Sequence, residues 1–291
     1  MPTVLVTGAR GLLGSSLVPY LKTAGNRVIC VSRKPGTDVC ADLTNRSEAL
    51  RCVSSIKPDT IINLAALTDV DACERDKNSA YIANVSIVEN IVASLRAAAL
   101  SSHLLQISTD QLYDGQGPHT EPDITLTNAY AESKYKGEIA AAAAPSTILR
   151  TNFFGPSQRA GRASFSDWIL ASLRSLTPIT VFDDILFSPL SISSLVALIA
   201  IVASRPQTGI FNLGSMHGMS KADFAFALAN VFDVPTGTMK RGFSSSRSQY
   251  AYRPKDMRMD STLFERTFSV KLPTLMREIE SMREDDAHAS R

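Results

Sequence analysis

The sequence predicts an α/β protein in which a doubly wound parallel sheet precedes a smaller C-terminal lobe. In the first half of the 291-residue chain, short runs rich in Val, Ile and Leu alternate with longer helical stretches, as expected of a parallel sheet covered on both faces. A glycine-rich loop follows the first of these runs, and after Arg150 the alternation gives way to isolated helices. Such βαβαβ winding is typical of a Rossmann-like sheet.

The predicted elements of the first half are five strands, a short sixth strand and four helices. The strands cover residues 3–7, 27–32, 60–64, 103–108 and 147–151, and the short strand lies near Val39. The helices cover residues 11–24, 46–56, 79–98 and 129–143, each with apolar residues at helical spacing.

The second half is predicted to build the smaller lobe, mainly from helices at residues 163–173, 192–204, 220–232 and 274–282. Loops that contain Pro and Gly separate these helices. The residues after Arg283 are expected to be disordered. The single tryptophan, Trp168, is expected in the core because it lies on an amphipathic helix.

The composition excludes several classes of protein. The formal net charge of +2 is too small to indicate a nucleic-acid partner. The four cysteines form no Cys-x-x-Cys pair and have no histidine at ligand spacing, so no metal site is predicted. The chain shows neither a signal-peptide pattern nor an apolar stretch long enough for a membrane span, so we expect a soluble, cytoplasmic protein without a membrane partner.

The glycine-rich loop opens the first helix and reads Gly8-Ala9-Arg10-Gly11-Leu12-Leu13-Gly14. Glycines at this spacing allow a sharp turn, bring backbone N–H groups against a pyrophosphate and let the helix pack close to the strand. The loop is therefore predicted to bind a dinucleotide cofactor through Gly8, Arg10, Gly11, Leu12, Leu13 and Gly14.

The second strand ends in Ser32-Arg33-Lys34, at the place where proteins that prefer NAD carry an acid for the ribose 2′-hydroxyl. These basic residues predict NADPH, with Arg10 as a further positive charge for the 2′-phosphate. The alternatives are NADH as cofactor and a solvated turn at Arg33 and Lys34. Asp42-Leu43, after the short strand, is placed to meet the adenine, although Asp42 could instead cap the next helix.

Three polar residues predict carbonyl chemistry at the carboxyl edge of the sheet. Tyr130 and Lys134 stand four apart on one predicted helix, so both side chains project from the same face. A nearby ammonium lowers the pKa of a tyrosine from its usual value of about 10, which suits a general acid. Lys134 could also hold the nicotinamide ribose. Thr109 follows the strand at 103–108 and could polarise the carbonyl oxygen that Tyr130 protonates.

The chain resembles the extended short-chain dehydrogenase/reductases and, among them, the dTDP-4-dehydrorhamnose reductase family. The resemblance rests on the glycine loop, on Thr109, Tyr130 and Lys134 in this order, and on further blocks at residues 63–74, 108–115, 150–155, 183–184, 188–189 and 253–260. It therefore covers nearly the whole chain.

The family implies roles for residues that the motifs alone do not assign. Thr109, Tyr130 and Lys134 would be catalytic, and the sugar would contact Thr109, Asp110 and Phe153. The cofactor site would be lined by Ala65, Ala66 and Leu67. Phe153 and Gln111 depart from the family, which often has a tryptophan and an aromatic residue at these places. Ser15 and Ser16 stand where some members carry an acid for a metal-bridged dimer, so no metal is expected, and a homodimer is a family-based expectation.

With this resemblance, residues 1–152 are expected to form an NADP(H)-binding domain to which part of 178–205 returns, and residues 153–291 mainly the substrate-binding lobe. The implied activity is NADPH-dependent reduction of the keto group of a nucleotide-linked sugar of the dTDP-4-keto-6-deoxy type. One alternative is a non-catalytic NADP-binding regulatory subunit resembling that of methionine adenosyltransferase. The other is a nucleotide-sugar epimerase or dehydratase, although Asp110-Gln111 lacks the Asp-Glu pair usual in dehydratases.

Further residues have structural interpretations beside functional ones. Asp71 and Glu74 fit a capping box for the helix that follows them. Asn84 suits either an active-site water network or a structural role. A loose basic cluster suits either a diphosphate or a scatter of surface charges, and consists of Arg241, Arg247, Arg253 and Arg258.

Overall fold

The structure is a computed structural model that describes residues 1–158, 161, 163–246 and 251–289. The strands in these ranges, numbered in chain order, are β1 (Thr3–Thr7), β2 (Arg27–Ser32), β3 (Val39–Cys40), β4 (Thr60–Asn63), β5 (His103–Ile107), β6 (Ser146–Thr151), β7 (Phe153–Phe154), β8 (Ile179–Phe182), β9 (Leu186–Phe187), β10 (Leu190–Ser191), β11 (Gly209–Leu213), β12 (Met219–Ser220) and β13 (Met239–Gly242).

The helices of the same ranges are α1 (Leu12–Thr23), α2 (Arg46–Ile56), α3 (Val70–Arg75), α4 (Lys77–Tyr81), α5 (Ile87–Ala97), α6 (Ala129–Ala141), α7 (Phe165–Arg174), α8 (Ile192–Ser204), α9 (Lys221–Val231), α10 (Thr262–Phe268) and α11 (Leu275–Ala289). A π-helical turn, Ile82–Ser86, joins α4 to α5.

Seven strands form one parallel sheet in the order β11-β6-β5-β4-β1-β2-β3. The winding reverses between β1 and β4, and in such sheets ligands bind outside the carboxyl ends of the strands at this switch point. Close to that edge, Thr7 Oγ1 donates a hydrogen bond to Asn63 Oδ1 at 2.5 Å, and Asn63 Nδ2 donates to Gln106 Oε1 at 2.8 Å. These buried side chains tie β1, β4 and β5 together beneath the crevice.

Apolar layers cover both faces of the sheet, and a further core fills the smaller lobe. On one face α1 packs against α8, where Leu17 and Leu195 are fully buried. On the other face α2 packs against α5, with Val53 and Ile91 fully buried. The core of the lobe lies between α7, α9 and α11 and includes Phe224. Burial of one such side chain contributes about 1.5–3 kcal/mol, so these layers hold the sheet edge in place.

The predicted strands of the first half agree with β1–β6 to within one residue at each end. The helix predicted at 79–98 is interrupted, because the π-helical turn separates α4 from α5. In the second half the sequence predicts no strand, whereas the structure has β7–β13. Six of these have only two to four residues, too few for a periodic pattern, and β11 joins the large sheet beside β6.

Two expectations for the second half are wrong. The chain after Arg283 is not disordered as far as residue 289, since α11 continues to Ala289. Within α11, Arg277 pairs with Glu284 at 2.9 Å, and Arg283 pairs with Asp233, which follows α9, at 2.7 Å. Trp168 is not in the core: it is 38% exposed, and its ring stacks on that of Phe165. Among the described helices, none is long and apolar enough to span a membrane.

Candidate active site

A cleft of about 1130 Å³ opens at the carboxyl edge of the sheet. It brings together most of the residues singled out in the sequence. Its walls include Gly8, Arg10, Gly11, Leu12, Leu13, Gly14, Ser32, Arg33, Asp42, Leu43, Ala65, Ala66, Leu67, Thr109, Asp110, Gln111, Tyr130, Lys134 and Phe153. Lys34 is the one predicted site residue that does not line this cleft.

At two positions of the loop after β1, the neighbouring backbone leaves no room for a side chain larger than that of glycine. Gly8 has φ +64°, and a Cβ there would lie 2.7 Å from the carbonyl carbon of Leu64. A Cβ on Gly14 would lie 2.6 Å from the carbonyl oxygen of Gly8 and 2.7 Å from the carbonyl carbon of Ala9. The loop thus packs at backbone distance from the residues after β4 and from α1, whose first residues line the cleft. This cradle fits a pyrophosphate, which accepts hydrogen bonds from backbone N–H groups at a helix N-terminus.

The basic residues after β2 lie at the far end of the cleft. Arg33 is exposed and lines the cleft, and Arg10 Nη1 donates to the Pro35 carbonyl at 3.0 Å, which brings the Arg10 guanidinium to the same turn. Ser32 Oγ donates to the Lys34 carbonyl at 2.7 Å and so closes this turn. The two arginines therefore present positive charge at the point predicted for a 2′-phosphate.

Asp42 lines the cleft where the adenine is predicted to bind. Its Oδ1 accepts hydrogen bonds from the Thr44 N–H at 3.0 Å and from Thr44 Oγ1 at 2.8 Å. The N-cap of α2 is Asn45, whose side chain accepts from the N–H groups of Ser47 and Glu48. Asp42 therefore stabilises the turn before the helix and does not cap it.

The predicted catalytic residues converge at the start of α6. Asn128 caps the helix by accepting from the Ala131 N–H at 2.8 Å, and this fixes where Tyr130 emerges. Tyr130 and Lys134 are 6% and 4% exposed, so the helix holds both groups against the cleft wall. Tyr130 and Thr109 both line the cleft at this point. Lys134 Nζ donates to the carbonyl oxygen of Ile107, the last residue of β5, at 2.6 Å.

Burial has the largest effect on the pKa values of Tyr130 and Lys134. It raises the pKa of the Tyr130 phenol above its usual value, against a smaller lowering by the Thr109 side chain. Burial also lowers the pKa of Lys134 to about 8, against an opposing effect of the Glu138 carboxylate. That Lys134 lowers the pKa of Tyr130 stays a prediction; the Lys134 ammonium itself is held by the Ile107 carbonyl.

The π-helical turn supports this arrangement through Asn84. Asn84 Oδ1 accepts from the Leu67 N–H at 2.8 Å, and its Nδ2 donates to the Leu67 carbonyl at 3.0 Å and to Ser133 Oγ at 2.9 Å. Gly137 of α6 lies against the Asn84 carbonyl, where a side chain would clash. Asn84 thus has a structural role: it fixes the cleft-lining loop at Leu67 relative to the catalytic helix.

The part of the cleft where the sugar is expected contains a buried carboxylate. Asp110 is 1% exposed, and its Oδ2 accepts from Asn152 Nδ2 at 2.6 Å. Burial raises the pKa of Asp110 to about 6. Phe153 follows Asn152 and lines the same wall, and the Gln111 Oε1 atom has no hydrogen-bond partner among the described residues. The structure therefore places Asp110 and Phe153 together, where the resemblance expects the substrate.

A buried ion pair below the cleft was missed by sequence reasoning. Arg150 is fully buried. Its guanidinium forms a bidentate ion pair with the Glu138 carboxylate, with Nε–Oε1 and Nη2–Oε2 distances of 3.0 and 2.6 Å. Its Nη1 donates to the Tyr113 hydroxyl at 2.8 Å, and Ser108 donates to Glu138. The available signal was the position of Glu138, one helical turn after Lys134, together with an arginine inside an apolar strand.

The capping box expected at Asp71 and Glu74 is wrong. The N-cap of α3 is Asp69, which accepts from the Ala72 N–H at 2.9 Å. Asp71 instead accepts from the Ala251 N–H at 3.0 Å, and Glu74 accepts from the Ala129 N–H at 2.8 Å. The helix begins two residues earlier than a box at Asp71 requires, which frees both carboxylates to join α3 to the smaller lobe and to the start of α6.

The described arginines of the basic cluster form ion pairs with different carboxylates. Arg241 pairs with Asp183 and Asp223, Arg253 with Asp71, and Arg258 with Asp256. Arg247 lies outside the described residues. Within the described ranges, no group of three or more His, Cys, Asp or Glu side chains could hold a metal ion.

The fold and the cleft define a Rossmann-like α/β protein in which a tyrosine and a lysine line the same cleft as a glycine-rich loop. The family model described as "RmlD substrate binding domain" matches residues 2–287, and the chain belongs to this family. The predicted family and the predicted fold are thereby confirmed.

Individual relatives agree with this assignment. The chain is 32% identical to the dTDP-4-dehydrorhamnose reductase of Sinorhizobium fredii, over 80% of this chain and 82% of that protein. A solved dTDP-4-dehydrorhamnose reductase from Clostridium acetobutylicum superposes with a TM-score of 0.87 at 25% identity, covering 97% of this chain and 98% of the other. A reductase of the same name from Bacillus anthracis, solved in complex with NADP, has a TM-score of 0.88 at 23% identity, covering 98% and 99%.

Proposed function

We propose that this protein reduces the keto group of a nucleotide-linked sugar of the dTDP-4-keto-6-deoxy type with NADPH. The predicted enzyme class, an NAD(P)-dependent sugar-nucleotide reductase, is confirmed at the level of the family, whose matched members are named as dTDP-4-dehydrorhamnose reductases. The observation that carries the proposal is that Thr109, Tyr130 and Lys134 line the same cleft as the glycine loop.

Tyr130 is suited to donate the proton. Its raised pKa keeps the phenol protonated near neutrality, and a carbonyl oxygen that gains charge during reduction is a strong acceptor for that proton. The Thr109 hydroxyl can donate to the phenolate that remains. A nicotinamide cofactor supplies the hydride when it is bound. The Tyr130 side chain thus determines where the reacting oxygen must lie.

Lys134 contributes positive charge and a hydrogen-bond donor. Its ammonium is buried within the cleft wall, where the Ile107 carbonyl and the negative charge of Glu138 favour the protonated form against burial. A buried ammonium stabilises negative charge in its neighbourhood more strongly than an exposed one. Its remaining N–H groups are available to the hydroxyls of a ribose, the role that the resemblance implies.

The residues that would hold the cofactor favour NADPH. Gly8, Gly11 and Gly14 provide the cradle for the pyrophosphate, and no acid lies between residues 28 and 36 to bond an unphosphorylated ribose. Arg33 and Arg10 supply positive charge for a 2′-phosphate. A homodimer, expected from the family, stays a prediction.

The proposal is tested with a panel of nucleotide-linked 4-keto sugars, with NADPH consumption followed by absorbance. We expect turnover with a dTDP-4-keto-6-deoxy sugar and identification of the reduced sugar by mass spectrometry. Tight NADPH binding without turnover on any member of the panel would support a regulatory subunit instead. Conversion of the sugar without net NADPH consumption would support an epimerase or a dehydratase.

A further inference from the structure

A buried carboxylate lies one helical turn after the predicted catalytic lysine. Lys134 and Glu138 stand four apart on α6, so their side chains share one face of the helix, and they are 4% and 1% exposed. A buried charge is costly unless it is paired and hydrogen-bonded, so the contacts of both groups deserve to be followed. Both lead to the same end of one strand.

Lys134 and Glu138 are attached to two consecutive residues at the end of β5. Lys134 Nζ donates to the Ile107 carbonyl at 2.6 Å, and the hydroxyl of the next residue, Ser108, donates to Glu138 Oε1. Ser108 is 5% exposed and lines the cleft, and its N–H donates to the Leu149 carbonyl of β6 at 2.7 Å. Separate hydrogen bonds thus hold the ammonium and the carboxylate against one strand end.

Arg150 holds the same carboxylate from β6. Its Nη2 lies 2.6 Å from Glu138 Oε2, and its Nη1 donates to the Tyr113 hydroxyl at 2.8 Å. In this chain of contacts the carboxylate stands between the guanidinium and Ser108. Coulomb energy falls with distance and is large where water is excluded, so Lys134 should sense the carboxylate more strongly than the guanidinium. In agreement, burial lowers the pKa of Lys134 and Glu138 acts against that lowering.

Other titratable groups also lie near Lys134. Cys73 of α3 favours the charged lysine, but burial raises the pKa of its thiol to about 11, which keeps the thiol neutral at pH 8. Burial likewise raises the pKa of the Tyr130 phenol, and the Asp110 carboxyl has a pKa raised to about 6. Charged side chains on another face of α6 line a groove with α5, namely Glu89, Arg96 and Lys136. Glu138 differs from these groups because Ser108 bonds it to the strand end that holds Lys134.

Resting on the role proposed for Lys134, we propose that Glu138 is a positioning residue whose carboxylate keeps the buried Lys134 side chain charged. Arg150 and Ser108 fix the carboxylate in place, so its charge needs no reorganisation when a ligand enters the cleft. The ammonium is the form that can donate to a ribose hydroxyl and stabilise negative charge. The upper pH limit of the reaction therefore depends on Glu138.

The test follows the protonation of Lys134 directly. In protein labelled with ¹³C at the ε carbon of lysine, the NMR shift of this carbon reports the titration, and the signal that is missing from Lys134→Met identifies it. Glu138→Gln keeps the shape of the side chain and removes its charge, so the Lys134 midpoint should move to lower pH by about one unit. The high-pH limb of kcat/KM for sugar reduction should move in the same direction by the same amount.

Two control variants separate the charge of Glu138 from the packing around it. Arg150→Met breaks the same ion pair but keeps the carboxylate, so the Lys134 midpoint should not fall. Ser108→Ala keeps both charges and removes one hydrogen bond, so the midpoint should stay at the wild-type value. If Glu138→Gln does not fold, the double variant with Arg150→Met leaves neither charge buried alone, and its midpoint should still fall.

The outcomes are distinguishable. The inference is wrong if the Lys134 midpoint stays unchanged without the Glu138 charge, or if it falls equally in Arg150→Met or Ser108→Ala, since any disturbance of the network would then suffice. A midpoint that falls while the limb of kcat/KM stays in place also contradicts the inference. A wild type that reduces no sugar, in a protein whose midpoints shift as expected, contradicts the proposed function and supports the electrostatic role of Glu138.

Discussion

The choice of cofactor can be tested by replacing Arg33 with alanine. Arg33 is exposed and lines the cleft beside Arg10, which the Pro35 carbonyl orients. A charge-assisted hydrogen bond contributes about 1.5–3 kcal/mol, and solvent screening of an exposed arginine favours the lower end of this range. Since 1.4 kcal/mol corresponds to a factor of ten, Arg33→Ala should weaken NADPH binding about tenfold. NADH has no 2′-phosphate, and its affinity should change by less than about twofold.

The assay is a fluorescence titration of both cofactors into the wild type, Arg33→Ala and Lys34→Ala. Lys34 is the matched control, because it neighbours Arg33 but does not line the cleft. Raising the ionic strength should reduce the preference for NADPH in the wild type and have little effect in Arg33→Ala. Equal losses for the two cofactors, or a wild type that prefers NADH, would show that this turn is only solvated and that its charges do not select the cofactor.

Other parts of the site give further predictions. Lys134 should act as an ammonium, so kcat/KM should fall as the pH rises through about 8, the value to which burial lowers its pKa; a profile that is flat to pH 10 would remove this role. Arg150→Met leaves the buried Glu138 carboxylate unpaired and should lower the free energy of unfolding in urea by about 3–5 kcal/mol, whereas a loss under 1 kcal/mol would contradict the importance of the pair. Gly14→Ala places a Cβ 2.6 Å from a backbone oxygen and should weaken NADPH binding at least about tenfold, while Gly237→Ala, with nothing within 4 Å, should not.

The sequence was sufficient for the parts of the site that depend on local patterns. The glycine loop is recognisable because its glycines follow a short local spacing, and at Gly8 and Gly14 a Cβ would lie within 2.7 Å of backbone atoms. Tyr130 and Lys134 share a face because the helix that carries them is continuous. The strands β1–β6 were predicted because they are apolar runs with clear boundaries, and the structure shifts their ends by at most one residue.

Features that depend on distant contacts could not be predicted in this way. The partners of Asp71 and Glu74 are backbone N–H groups 180 and 55 residues further along the chain, so the local capping pattern was misleading. The pairing of Arg150 with Glu138 joins β6 to α6, and the pattern of neither element requires it. In the sequence Lys221 is an ordinary residue at the start of a helix, and only the fold brings its ammonium close to two aromatic rings.

The central claim is that Tyr130 protonates the carbonyl oxygen of a nucleotide-linked sugar, and single-turnover reduction by Tyr130→Phe tests it most directly. The Tyr130 side chain is buried, so the phenylalanine ring keeps the packing and removes only the hydroxyl group that would donate the proton. With enzyme in excess over a dTDP-4-keto-6-deoxy sugar and NADPH saturating, the rate of hydride transfer should fall about 10²–10⁴-fold while NADPH affinity stays unchanged. A Tyr130→Phe variant that reduces the sugar at the wild-type rate would contradict the account.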